Sequence, residues 1–260
     1  MHGTASGGTM SPKTMPNGNK NVSNRPTRPA SIKFRRLPNG LEILYEDSDI
    51  IVVDKPAGLL TVKTQTDKTR TVQYILNDYI RKGSFKSRKI IFPVHRLDQW
   101  TSGVLIFAKS REIKSALQDQ WQSVEKKYIA VVHGRLAKKQ DVITSYLAEN
   151  RAFVVYSTTD TKKGKLAKTA YTVLKESANL SLLEITLLTG RKNQIRVHLS
   201  DIGHPVVGDR KYGSPADAQY KRLALHAKSI SFKHPAAGKQ MTFETKTPAF
   251  FNNLTATFLW

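Results

Sequence analysis

From residue 41 onward, hydrophobic and polar positions fall into recognisable periods. Leu41 to Glu46 alternates like a half-buried strand. Asp49 to Asp54 contains a β-branched run, Ile50-Ile51-Val52-Val53, that Lys55-Pro56-Ala57-Gly58 must end. A short apolar piece, Leu59-Leu60-Thr61-Val62, follows. Val72, Ile75, Leu76 and Tyr79 recur at i, i+3, i+4 and i+7, which predicts a helix over 71–82. The Lys/Arg-rich segment 81–89 reads as a loop. Beyond it the apolar run Ile90-Ile91-Phe92 enters a polar stretch, Val94 to Gly103, and a strand, Val104 to Ala108, leaves it.

Ser110 is placed to cap a helix over 111–122 with Ile113, Leu117 and Trp121 inward. Strands are predicted at 126–134, 142–148, 152–157, 168–176 and 180–188, with a basic hairpin or loop at Lys162-Lys163-Gly164-Lys165. Residues 193–203 suit a short helix: Ile195, His198, Leu199 and Ile202 share a face, and Gly203 fits the C-terminal cap. A Gly/Pro-punctuated loop, 204–221, precedes strands at 223–232 and 240–245. Thr247-Pro248 then opens a last helix with Phe251, Leu254 and Phe258 inward and proline at its first position. Many strands, few helices and no regular β-α alternation imply an α+β fold. No internal repeat is visible.

Residues 1–33 carry almost no large apolar side chains, so ordering them would bury too little to offset the entropy cost. The expectation is a disordered basic tail, 1–36, and one folded domain, 37–260. Charge changes the picture further. The chain has 260 residues, with 42 Lys and Arg against 20 acidic residues, a formal charge of +22. Seven of the basic residues lie in 1–36, which has no acidic one. The remainder still carries 35 basic against 20 acidic residues, or +15. The folded body therefore presents a basic surface suited to nucleic acid or another anionic partner. The absence of cysteine excludes disulfides, thiolate catalysis and cysteine-held zinc. No apolar run approaches a membrane span and no signal-like segment opens the chain, so a soluble, cytoplasmic protein is expected.

The stretch His95-Arg96-Leu97-Asp98-Gln99-Trp100-Thr101-Ser102-Gly103 combines an imidazole, an arginine, a carboxylate and two hydroxyls in a loop between strands, where chemistry is commonly displayed. Taken alone, Asp98 and Arg96 could be an ordinary turn and ion pair. His95 and Asp98 lack a third ligand at metal-binding spacing. Ser102 lacks the first glycine of a nucleophile elbow. Three other stretches carry unusual polar groups. Lys127-Tyr128 opens a strand, where Tyr128 is either a packing residue or a platform for a base. Gly190-Arg191-Lys192-Asn193-Gln194-Ile195-Arg196 starts a helix whose amides, with Arg191 and Lys192, could hold phosphate, while Arg196 could reach inward to a carboxylate. His226, within Leu223-Ala224-Leu225-His226-Ala227, reads as a satisfied core histidine. No dinucleotide or P-loop glycine pattern and no His-Glu-x-x-His occurs, which points to side-chain catalysis without nucleotide cofactor or metal.

The loop motif His95-Arg96-Leu97-Asp98-x-x-Thr101-Ser102-Gly103 resembles the signature of the RluA-type RNA pseudouridine synthases. Five further stretches resemble that family in the same order: Leu44-Tyr45-Glu46-Asp47 with Val53-Asp54-Lys55-Pro56-Ala57-Gly58, Lys126-Lys127-Tyr128-x-Ala130-x-Val132, Gly190-Arg191-x-x-Gln194-Ile195-Arg196-Val197-His198, Gly208-Asp209-x-x-Tyr212-Gly213, and Leu225-His226-Ala227. The resemblance covers roughly residues 41–250. Asn193 stands where histidine is common, and Gln99-Trp100 fill variable positions; neither departure was expected to touch the core roles.

The resemblance implies a mixed, mainly antiparallel central sheet with flanking helices around a basic cleft. It implies an isomerase that converts uridine in rRNA or tRNA to pseudouridine, without cofactor or metal. No S4-type module is expected before the domain, so the tail and basic face would serve in its place. Asp98 takes the place of the family's catalytic aspartate, Tyr128 of its base-stacking tyrosine and Arg196 of the arginine that pairs with the aspartate. Arg96 takes the place of the arginine that fills the space of the flipped nucleotide, and Leu225 of the hydrophobic wall. A monomer is expected. The rival reading is a non-catalytic RNA-binding or RNA-folding protein on the same scaffold; a DNA-binding regulator would need a helix-turn-helix that is not visible. Target choice is expected to reside in the tail and in loops 81–89 and 204–221.

Overall fold

The β-branched run after residue 49 forms the strand β3 (Ile50–Lys55), antiparallel to β5 (Ser102–Ala108) with Val53 opposite Leu105. Both strands are apolar at nearly every position because both faces of the sheet are covered. Ile51, Val53, Leu105 and Phe107 point into one core; Ile50, Val52, Val104 and Ile106 point into the other. A one-residue slip of either strand would exchange the two sets.

The computed structural model describes residues 1–5, 35–84, 86–256 and 258. Among them one sheet runs in the order β1 (Arg35–Arg36), β2 (Glu42–Glu46), β3, β5, β11 (Leu225–Lys233), β6 (Glu125–His133), β10 (Leu180–Leu187), β9 (Lys165–Glu176), β7 (Gln140–Glu149) and β8 (Val155–Thr158). Off this path β4 (Phe92–Pro93) pairs with β5, and β12 (Gln240–Glu244) with β11. All pairs are antiparallel except β5 with β11. This is the expected α+β fold with a mainly antiparallel mixed sheet.

Helix α1 (Val72–Arg81) starts where Thr71 accepts a hydrogen bond from the Tyr74 amide and lays Val72, Ile75 and Leu76 on the first core. Helix α2 (Arg111–Asp119), capped by Ser110, puts Leu117 on the second. Helix α3 (Gln194–Asp201) crosses the sheet's far half, and α4 (Ala249–Thr255) adds Phe251 to the first core. Pro248 is the N-cap residue of α4 and not its first helical position; Phe258 is buried beyond the helix end. Leu59 to Val62 makes a single bridge, Leu60 to Thr71, and no strand. Arg35 and Arg36, placed in the tail by composition, pair with β2; residues 6–34 lie outside the described residues. Among the described residues no helix is long and apolar enough to cross a membrane.

Candidate active site

The polar loop 94–101 hangs between β4 and β5, and its shape is over-determined. Thr61 Oγ1 donates to the Leu97 carbonyl at 2.9 Å and accepts from the Leu97 amide at 3.2 Å. The fully buried Lys55 sends its ammonium to three backbone carbonyls, Leu59 at 2.8 Å and Pro56 and Gln99 at 3.0 Å. Burial pulls the Lys55 pKa down to about 7, against the opposing pull of Asp98 and Asp54. The Asp98 carbonyl accepts from the Thr101 amide at 3.2 Å, which closes the turn. At the exit Gly103 has φ +113, and a Cβ there would lie 2.1 Å from the Ala227 carbonyl oxygen; only glycine lets β5 approach β11 so closely.

Arg196 projects from α3 to Asp98, with Nη1 donating to Asp98 Oδ2 at 2.9 Å. The rest of its fork is held by Asp209: Nε donates to Oδ2 at 2.7 Å and Nη2 to Oδ1 at 2.8 Å. The Asp209 side chain is wholly buried and also accepts from the amides of Lys211 and Tyr212. Burial alone would lower the Arg196 pKa, but the hydrogen bonds and charges of Asp209 and Asp98 more than offset it and hold the pKa above the usual arginine value. The Tyr212 ring lies 5.0 Å below the guanidinium. Asn193 sits in the left-handed region at φ 53, a conformation asparagine tolerates. With its amide nitrogen turned toward Asp98 it donates to Oδ2 at 2.8 Å and Oδ1 at 3.0 Å, while its oxygen accepts from Tyr212 Oη at 2.9 Å.

Helix α3 is pinned by its own polar residues. The buried Gln194 accepts from Thr189 Oγ1 and the Arg191 amide and donates to the Lys168 carbonyl and Thr169 Oγ1. The buried His198 bridges Thr169 and Ser145. The Arg191 amide is thus already engaged, so phosphate attraction at this helix start rests on the exposed side chains of Arg191 and Lys192, not on that amide.

These groups line a cleft of about 810 Å³ that includes Asp98, Tyr128, Arg196, Leu225, Arg96, Arg191 and Lys192, all seven expected site residues. Tyr128 on β6 is opposite Ala227 on β11, and Leu225 is opposite Ala130, so Tyr128 and Leu225 are diagonal neighbours on one sheet face. Both are buried parts of the first core with an edge on the cleft. Burial and then the charge of Asp98 push the Tyr128 phenol up, so it stays neutral. Arg96 is exposed at the rim and, among the described residues, makes no ion pair; the partner of Asp98 is Arg196. Lys192 bonds Glu149 and lies 5.5 Å from the Phe153 ring centroid.

His95 and Ser102 do something else. His95 Nε2 accepts from the Ile106 amide at 3.2 Å, and burial with the Lys126 charge lowers its pKa to about 3. Ser102 Oγ lies 2.9 Å from His226 Nδ1, and His226 Nε2 lies 2.8 Å from Thr245 Oγ1. His226 is the satisfied core histidine that its apolar surroundings suggest.

Three contributors escaped the sequence reading. Asn193 touches Asp98 directly, contrary to the expectation that the departure at this position is inert. Asp209 and Tyr212 were quoted in a motif without a role. No local signal marks Asp209, since the 204–221 loop carries Asp217 as well, against Arg210, Lys211 and Lys221.

The sequence matches the RNA pseudouridylate synthase family over residues 49–201. It is 37% identical over 222 residues to the dual-specificity RNA pseudouridine synthase RluA of Escherichia coli, covering 81% of this chain and 94% of that protein. An uncharacterized RNA pseudouridine synthase of Bacillus subtilis is 33% identical over 222 residues, 84% of this chain and 72% of the relative. The solved structure of human RNA pseudouridylate synthase domain containing 4 matches with a TM-score of 0.67 at 25% identity, covering 82% of this chain and 91% of that one. The chain belongs to the RNA pseudouridylate synthase family, in its RluA-type branch, and is an enzyme of that class.

Proposed function

We propose that this enzyme converts specific uridines of structured RNA, ribosomal or transfer, to pseudouridine, with Asp98 as nucleophile and the target base flipped into the cleft. The observation that carries this reading is the Asp98–Arg196–Asp209 chain at the floor of a basic cleft walled by Tyr128 and Leu225. A protein that only binds RNA has no use for a carboxylate that repels phosphate. The relatives' names favour the substrate class: one, in Rickettsia bellii, is a ribosomal large subunit pseudouridine synthase C, 34% identical over 220 residues.

The reaction is an isomerisation and balances without a co-substrate. The bond from uracil N1 to ribose C1′ breaks, the uracil turns, and a bond from C5 to C1′ forms. The C5 proton leaves and N1 gains one. The base must leave its stack to be reached, and Arg96, exposed at the rim, would fill the vacated space. Tyr128 and Leu225 retain the detached uracil between an aromatic face and an aliphatic one. Arg196 fixes one carboxylate oxygen, leaving Asp98 to attack the ring or the sugar, or to oppose positive charge at C1′ as glycosidase carboxylates do.

The test maps pseudouridine by chemical adduct and primer stops in bulk uridine-containing RNA treated with wild type or Asp98→Asn. Modified sites with wild type and none with the variant are expected. An unmodified RNA panel with both proteins, bound equally by each, would leave the non-catalytic RNA-binding reading in its place.

A further inference from the structure

A second cavity, about 410 Å³, lies beside the cleft and shares with it Asp98, Gln99, Lys192, Asn193 and Arg196. Its other walls are Trp100, Gly208, Asp209, Arg210, Lys211, Lys221 and Leu223, so it is built largely by the 204–221 loop. Two features of it reach beyond the chemistry above.

The first is Trp100, which is 50% exposed. Its ring lies against Gly58, where a Cβ would be 3.3 Å from Cζ3, and Gly58 has φ +91. A side chain at position 58 would be strained and would press on the ring, so glycine makes the seat. The indole meets Gly58, is half exposed and lines the cavity. A half-exposed tryptophan adds little to folding and is suited to stacking.

The second is charge. The lining carries five cations, Lys192, Arg196, Arg210, Lys211 and Lys221, against two carboxylates, Asp98 and Asp209. Both carboxylates are bound by Arg196. Lys192 bonds Glu149, and Lys211 donates to the Phe153 carbonyl, but among the described residues Arg210 and Lys221 make no ion pair. The cavity therefore favours an anion, with a half-exposed aromatic ring beside it.

We infer that this second cavity seats a nucleotide of the same RNA strand, next to the target uridine, with its base on Trp100 and its phosphate among Arg210, Lys211 and Lys221. The inference rests on the proposed function: with the uridine in the cleft, its strand must leave past the shared wall, and this is a cationic exit of nucleotide size. It makes the 204–221 loop a reader of the residue beside the target.

The experiment has a kinetic arm and a binding arm. With bulk uridine-containing transcripts as substrate, Trp100→Ala is expected to raise KM roughly tenfold, within the range of base–aromatic stacking, with the loss in KM and not in kcat. Trp100→Phe, which keeps a stacking face, restores most of it. Replacing Arg210 and Lys221 together by Gln lowers the slope of log affinity against log salt by about two. In the binding arm, a short single-stranded oligoribonucleotide containing uridine quenches tryptophan fluorescence in wild type, and Trp100→Phe loses that part of the signal. An unchanged KM in Trp100→Ala, with wild type active, overturns the inference and leaves the function standing. A wild type that modifies no RNA overturns the function, and the oligonucleotide arm then decides the cavity alone. Poly-glutamate quenching Trp100 as strongly as RNA also overturns the inference, because a carboxylate chain has no base to stack.

Discussion

Asp98 and Ser102 lie four residues apart and belong to two polar clusters that use similar groups to opposite ends. Around Ser102 every hydrogen-bonding position is closed: Ser102 meets His226 Nδ1, and His226 Nε2 meets Thr245. All three residues are buried, and the register sets His226 directly opposite Ser102 across the β5–β11 pair. Around Asp98 the partners are as close, but the carboxylate is 28% exposed and opens on the cleft. A hydroxyl beside an imidazole looks like catalysis and is here a strut. A carboxylate beside an arginine looks like a strut and here faces the open cleft. What separates them is access, since a group whose partners are all internal has nothing left for a ligand.

The largest effect expected from breaking this contrast is on turnover. Asp98→Asn keeps the shape and removes the proposed nucleophile, so kcat should fall at least about a thousandfold, with RNA affinity retained. Ser102→Ala, assayed beside it, should keep turnover per folded molecule near wild type. Comparable losses in both would erase the distinction.

Next in size is the brace. Asp209→Asn breaks a buried pair and leaves Arg196 short of its bidentate partner, which should destabilise the fold by about 3–5 kcal/mol as well as depress turnover. Arg196→Lys tests geometry at constant charge. A single ammonium cannot reproduce a fork that meets two carboxylates, so the lysine variant should lose activity despite keeping its charge. Urea unfolding of each, beside turnover, separates the two effects.

The closed cluster has its own signature in pH. Burial, then the charge of Lys228, lowers the His226 pKa from 6.5 to about 4. Between those values the unfolded chain binds a proton that the folded one does not, so stability rises with pH across the window and is lost as pH falls from 6.5 toward 4. At 1.36 kcal/mol per unit the contribution is roughly 3 kcal/mol. Urea titrations at pH 7 and pH 4.5 should show a smaller acid loss in His226→Gln than in wild type. An equal loss in both would mean that His226 is not held neutral.

Much of this was legible along the chain. Among the described residues the period-2 and 3.6 patterns placed the four α-helices and nearly every strand, and the family resemblance grouped Asp98, Tyr128 and Arg196. The strand ends were less visible: β9 begins at Lys165, three residues earlier than hydrophobicity suggests, because pairing with β7 continues past the last buried position. Asp209 and Asn193 stayed without roles for a different reason. Their function exists only once the 204–221 loop folds beneath α3, and no local pattern reports a partner that distant. The true partner of Asp98 is 98 residues away, while Arg96, two residues away, points to the rim.

The smallest effect expected tests that unread contact. Asn193 gives Asp98 two amide hydrogen bonds from a residue held at φ 53, so its replacement changes the side chain and the backbone preference together. Alanine removes the amide and also disfavours the left-handed backbone by roughly 1–2 kcal/mol; glycine removes the amide and relieves the backbone. If the amide positions the carboxylate, both variants should lose about tenfold in kcat/KM, in line with one hydrogen bond to a charged group, and only the alanine variant should unfold earlier in urea. If glycine restores turnover, the residue serves the loop's conformation, and Arg196 alone orients the Asp98 carboxylate. Asp98 is then held by one arm, and the contrast with the doubly tied His226 becomes wider still.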